Sequence, residues 1–183
     1  AYDDSKLKGE RAVINSGLDH RIARLATVFG EGDRANFAKL ARALRAGRFV
    51  VPGSGDARKS VISVRSVAEC LAEWALMTET PYRLMNLGYA QAPTLDKICK
   101  SFVECCGFSA PKRVPLRLLH AGAIIGDVLA KARPNFPLTS LNLRKLTRST
   151  CVDCSRAIEV FPYLGEANFR DELCKAADYY KKL

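Results

Sequence analysis

Arg24-Leu25-Ala26-Thr27-Val28-Phe29-Gly30-Glu31-Gly32-Asp33 reads as the end of a buried strand that starts near His20 and stops in a glycine turn. Helical patterns flank it. Tyr2 to about Ser16 is predicted as one helix. Arg34 to Ala46 is a second, with Phe37, Leu40, Ala41 and Leu44 on one face and Gly47 as its stop. Phe49 to Val64 reads as two short strands around Gly53-Ser54-Gly55-Asp56. No Gly-Lys-Ser/Thr and no helix start follow that turn, so it is predicted to be a tight hairpin rather than a phosphate loop.

Further on, Ser66 to about Met77 is predicted helical, with a Ser66/Glu69 capping box and Val67, Leu71 and Trp74 buried. Arg83 to Leu87 is a strand. Thr94 caps a helix whose face is Leu95, Ile98, Cys99, Phe102, Val103 and Cys106, ended by Gly107. A short strand lies near Arg113 to Pro115. Leu116 to Lys131 is a helix apolar enough to be well packed, and 134–137 is the clearest loop. Helices follow at 138–147, 155–161 and 168–182, where Tyr163, Tyr179 and Tyr180 read as packing aromatics. This alternation of strands and helices defines an α/β protein.

The 183 residues suffice for one domain, and 48% hydrophobic with 26% charged residues is ordinary for a globular chain. The net charge of +10 fits attraction to an anionic ligand or nucleic acid and fits equally one basic half of an enzyme, the favoured reading; the basic residues read as scattered along the chain, with no run long enough for a nucleic-acid arm. Seven cysteines, an odd number, are expected to be free thiols in a cytoplasmic protein. Cys151-Val152-Asp153-Cys154 has metal-like spacing, but the chain holds only His20 and His120 as further nitrogen ligands, so no metal is expected. The most apolar stretch, Leu116 to Leu129, is shorter than the ~20 residues that span a bilayer and contains Arg117, His120 and Asp127, so no membrane partner is expected.

Tyr2-Asp3-Asp4-Ser5-Lys6 carries the chemistry. Residues four apart share a helix face, and an ammonium beside a phenol lowers its pKa from the ordinary ~10. Such a phenol suits proton exchange with an alcohol or carbonyl beside a hydride carrier. Taken in order, this motif, the strand-and-turn at 24–33, Pro52 to Val64 leading into Ser66-Val67-Ala68-Glu69, and Met85-Asn86-Leu87-Gly88 resemble the extended short-chain dehydrogenase/reductase family, the NAD-dependent nucleotide-sugar epimerases and dehydratases. The resemblance covers nearly the whole chain and the C-terminal half of the family pattern.

The resemblance implies the C-terminal part of a Rossmann-type doubly wound sheet plus a small mixed α/β substrate-binding lobe. Residues 1–33 would end the nucleotide-binding domain, and 34–183 would form mainly the lobe, with a strand near 83–88 returning to the sheet. Tyr2 becomes the acid/base, and Lys6 the residue that holds the nicotinamide ribose and tunes Tyr2. Leu25, Ala26 and Thr27 touch the nicotinamide of NAD or NADP. Asn36, Arg58, Lys59 and Arg148 bind the diphosphate of a nucleotide sugar. A homodimer through the Tyr2 helix is implied. Lys59 stands where the family has Arg and can act only as a point charge. Ser63 replaces a frequent His, and Arg65-Ser66 replaces acidic residues. The family's glycine-rich dinucleotide fingerprint and catalytic Ser/Thr are absent from these residues, so the chain alone is expected to be inactive and part of a longer enzyme. A same-family reductase of a non-sugar ketone, and a non-catalytic basic binding module for which nucleic acid is the unfavoured ligand, are the alternatives.

Overall fold

The strand read over 20–29 is broken into two pieces with different partners. In the computed structural model, which describes residues 2–132, 136 and 138–183 without the side chains of Tyr2, Asp3 and Ala132, β1 (Ile22–Leu25) pairs parallel with β5 (Leu84–Leu87). β2 (Thr27–Phe29) pairs parallel with β4 (Val61–Ser63). At the break, the Ala26 N–H donates to the Leu87 carbonyl at 2.9 Å and the Thr27 N–H to the Ser60 carbonyl at 3.1 Å, so the chain changes partner without losing a hydrogen bond. β3 (Val50–Pro52) pairs parallel with β6 (Lys112–Val114).

The hairpin predicted over 49–64 is therefore not formed. β3 and β4 are not partners; the Gly53 and Gly55 turn, at φ 58° and 75°, sends the chain away from β3 instead of back along it. A Cβ on Gly55 would lie 2.7 Å from Val51 and 3.1 Å from Asp96, so the turn is wedged between β3 and the following helix layer. Parallel pairing also explains the apolar runs in β3 and β4, which are buried on both faces.

Helices connect and cover these strands: α1 (Tyr2–Ile14), α2 (Asn36–Arg45), α3 (Val64–Leu76), α4 (Leu95–Cys106), α5 (Leu116–Ala132) and α6 (Ser140–Thr147). The helix predicted over 155–161 is α7 (Ser155–Val160); α8 (Tyr163–Glu166) follows, and the one predicted over 168–182 is split at Ala176 into α9 (Phe169–Lys175) and α10 (Ala177–Lys181). The core is aromatic. Phe169 lies between Phe29 and Phe37 at ring distances of 4.8 and 5.5 Å, and Tyr180 meets Phe102 edge-on at 5.1 Å.

Four further expectations change. α3 is capped by Ser63, whose Oγ accepts the Ser66 N–H at 3.0 Å, while Glu69 pairs with Arg65; a helix that begins at Val64 leaves no capping role for Ser66. Leu71 is exposed on α3, and Cys70 takes the buried position beside Val67 and Trp74. α5 is packed on one side only: Leu119 and Ala123 meet Leu143 of α6, and Leu118, Ile124, Ile125 and Val128 face outward. Cys105 and Cys174 form a disulfide between α4 and α9, with Cα atoms 4.9 Å apart, so not every cysteine is a free thiol. Of the loop read over 134–137, residues 134, 135 and 137 lie outside the described residues. Among the described residues no helix is long and apolar enough to cross a membrane.

Candidate functional site

A cavity of about 550 Å³ opens where β1 and β2 end, lined by Leu25, Ala26, Thr27, Val28 and Phe29, by Glu31 to Asp33, by Ala35 and Asn36, and across from them by Ser60, Val64, Thr150 and Val152. Its rim is set by one carboxylate. Asp33 accepts the Ala35 N–H through Oδ1 and the Ala38 N–H through Oδ2, both at 2.7 Å, and so caps α2. That cap places Asn36 in the first turn of α2, facing the cavity.

The same loop is held from the far end of the chain. Tyr180 Oη accepts the Gly30 N–H at 2.9 Å and donates to Asp33 Oδ2 at 3.3 Å, and Tyr179 Oη donates to the Asp33 carbonyl at 2.7 Å. Burial, above all, pushes the Tyr180 phenol well above its ordinary range, so it stays a neutral donor.

The opposite wall is the segment 150–152, laid beside Ser60. The Ser60 N–H donates to the Thr150 carbonyl at 3.0 Å, and Ser60 Oγ accepts the Val152 N–H at 3.0 Å. Lys59 ties this wall to α6: its Nζ donates to the carbonyls of Lys145 at 2.8 Å and Arg148 at 2.5 Å, the C-terminal end of that helix. Burial pulls the Lys59 ammonium below its usual range, opposed in part by Cys151 nearby.

The structure thus gathers Leu25, Ala26, Thr27 and Asn36 in one cavity and sets Lys59 against Arg148 behind its wall. Arg58 points elsewhere. Its guanidinium donates to the Ala92 carbonyl at 3.1 Å and lines a second cavity of about 720 Å³ together with Lys97, Lys100, Asn168 and Arg170. Lys6 is exposed on α1. Tyr2 begins that helix, and its side chain lies outside the described part. α1 is fastened to β1 by Arg24, which grips Glu10 with Nε at 2.9 Å and Nη2 at 2.5 Å; the hydrogen bond holds the Glu10 carboxyl below its usual range. Cys154 is buried beside Gly88, where a Cβ would come within 2.8 Å of its sulfur, whereas Cys151 is exposed. Among the described residues no three His, Cys, Asp or Glu side chains are grouped to hold a metal.

Sequence reading missed Asp33, Ser60 and the Tyr179/Tyr180 pair. Asp33 had a local signal, an Asp just before an apolar periodic run. The tyrosines had none, because they act on a loop about 150 residues away.

No protein-family model matches the chain, and no curated protein matches it. Solved structures do. It is similar to UDP-glucuronic acid 4-epimerase from Bacillus cereus in complex with UDP-glucuronic acid and NAD, at 16% identity and a TM-score of 0.68, over 99% of this chain and 52% of that one. UDP-glucose 4-epimerase from Thermotoga maritima, solved with UDP-glucose, matches at 16% identity and a TM-score of 0.62 over 98% and 51%. MoeE5 in complex with UDP-glucose and NAD matches at 19% identity and a TM-score of 0.56 over 87% and 46%. The chain spans about half the length of the structures it matches. Its fold is that of these Rossmann-type epimerases over that half.

Proposed function

We propose that this chain supplies the nicotinamide-facing and substrate-facing part of an NAD(P)-dependent enzyme acting on a nucleotide sugar, as an epimerase, dehydratase or 4-ketoreductase. One observation carries the reading: a cavity at the carboxyl ends of parallel strands joins Leu25, Ala26 and Thr27 to Asn36. In open α/β sheets ligands bind at that end of the strands. The UDP-sugars and NAD held by the similar structures add support. Residues 1–33 then complete the nucleotide-binding domain and 34–183 form mainly the substrate lobe.

The walls fit the nicotinamide end of the cofactor. Leu25, Ala26 and Val28 offer apolar surface to a flat ring and Thr27 offers a hydroxyl. No glycine-rich phosphate turn accompanies them in these residues. When bound, the nicotinamide takes up and returns a hydride. The chain's own part is proton transfer and positioning. Tyr2 exchanges the proton of a sugar hydroxyl at its phenolic oxygen. Lys6 favours the phenolate and holds the ribose. Asn36 donates to the diphosphate from the first turn of α2. Lys59 and Arg148 add positive charge behind the 150–152 wall, and Arg58 adds it from the side of the second cavity. The exposed Leu7, Val13 and Ile14 of α1 supply an apolar face for the proposed homodimer.

Tyr2→Phe in the full-length protein tests this reading. Turnover should fall by about 10²–10⁴-fold with NAD affinity unchanged; turnover retained within a few-fold removes Tyr2 from the chemistry and the proposal with it. The apolar share of the cavity, from Leu25, Val28, Val64 and Val152, favours a second reading, reduction of a non-sugar ketone. Competitive inhibition by UDP or dTDP selects the first; its absence selects the second.

A further inference from the structure

We propose that the outer face of α5 and α6 docks on an anionic lipid bilayer, lying on its surface without crossing it. Leu118, Ala121, Ile125, Val128 and Leu129 recur at three- and four-residue steps and share one face of α5. The opposite face, Leu119 and Ala123, is spent on the contact with Leu143 of α6. Leu118, Ile124, Ile125 and Val128 are each 63–66% exposed, and Leu141 on α6 is 53% exposed. These seventeen residues of α5 form a bar about 25 Å long with contiguous apolar side chains exposed along one side.

Charge identifies the occupant. Residues 112–150 hold eight Lys and Arg and a single acidic residue, so they carry +7 of the chain's +10. The basic charge is therefore concentrated here, not scattered. Lys112, Arg117, Lys131, Arg144 and Lys145 are exposed around the apolar face. The one acid, Asp127, is turned toward α6, where its Oδ1 accepts the Ser140 N–H at 2.9 Å. A second copy of the same face would oppose two surfaces of like charge. Nucleic acid would match the charge and leave the leucines and isoleucines uncovered. A bilayer with anionic headgroups answers both at once, acyl chains for the apolar bar and phosphates for its basic rim.

Sedimentation of the full-length protein with vesicles of phosphatidylcholine containing about 30 mol% phosphatidylserine tests this, with pure phosphatidylcholine vesicles as reference. The serine-containing vesicles should bind at least tenfold more tightly, and the double variant I125D/V128D should lose at least tenfold. The pair K131E/R144E should lose a similar factor and carries the test if the first variant fails to keep the wild-type near-ultraviolet circular dichroism. Failure to sediment with anionic vesicles overturns the proposal, as does binding that both variants leave unchanged. It is equally overturned by a dimer that I125D/V128D dissociates without lipid binding, or by salt-sensitive binding of duplex DNA in the absence of vesicle binding.

Discussion

Tyr180 shows how much a single hydroxyl can organise. It is fully buried, yet its oxygen serves both the Gly30 N–H and the Asp33 carboxylate, and Asp33 in turn caps α2. Tyr180→Phe keeps the ring packing on Phe102 and leaves the buried Gly30 amide without its partner. An unpaired buried donor costs about 1–3 kcal/mol; urea unfolding should read that loss, and Asn36 should be less well held. An unchanged midpoint would mean that water reaches Gly30. The resemblance gives Leu25, Ala26 and Thr27 to the nicotinamide and Asn36 to the diphosphate, and the fold sets all four along one cavity. Ser66 was mistaken for a cap because the Ser-x-x-Glu spacing is satisfied, but Ser63 lies one residue before the helix and competes successfully. Two candidate caps three residues apart cannot be ranked without the helix start.

The elements divide by whether their signal is local. α4 was read correctly from Thr94 to Gly107, because a side-chain cap at one end and a left-handed glycine at the other are written in adjacent residues. β3 was misread as half of a hairpin because its true partner, β6, lies some sixty residues on, and parallel pairing leaves no turn signature. The disulfide was hidden for a similar reason: Cys105 and Cys174 are 69 residues apart and meet only once α4 and α9 pack. Cys174→Ser should lower stability by about 2–4 kcal/mol, read by urea unfolding without reductant, and dithiothreitol should reproduce the loss in the wild type. A non-reducing peptide map that finds both thiols free would remove the cross-link.

Across the whole molecule, burial of weak acids sets a limit at high pH. Burial pushes the Cys154 thiol up to about 11 and the Cys99 thiol up to about 12, and raises Tyr180 as well. A raised pKa means that the folded state holds the proton more tightly than the unfolded chain. The associated stability is intact below about pH 9, the ordinary thiol value, and is lost as pH climbs through that value toward the folded one. The urea midpoint should therefore fall between pH 8 and pH 10.5, and Cys99→Ala with Cys154→Ala should flatten that fall. A wild-type midpoint independent of pH over this range would show these thiols to be solvated. The α/β class was legible from alternation alone, because every strand and helix signal is short in range. Which strands pair, and which helix faces stay bare, depends on packing between residues far apart in sequence.

The latch that Tyr179 and Tyr180 place on Asp33 has a consequence for how the molecule comes into being. A chain is made from its amino end, and the Gly30 loop emerges from the ribosome 150 residues before the hydroxyl that will hold it. Until α10 has been synthesised, the Gly30 amide is met by water, and the Asp33 carboxylate has only the Ala35 and Ala38 amides of its own helix start. A nascent chain can assemble β1, β2 and α2 early, but it has no finished cavity to offer a ligand. The loop at the rim of the cavity is therefore fastened late, once α10 has been made, rather than in step with the growth of the chain.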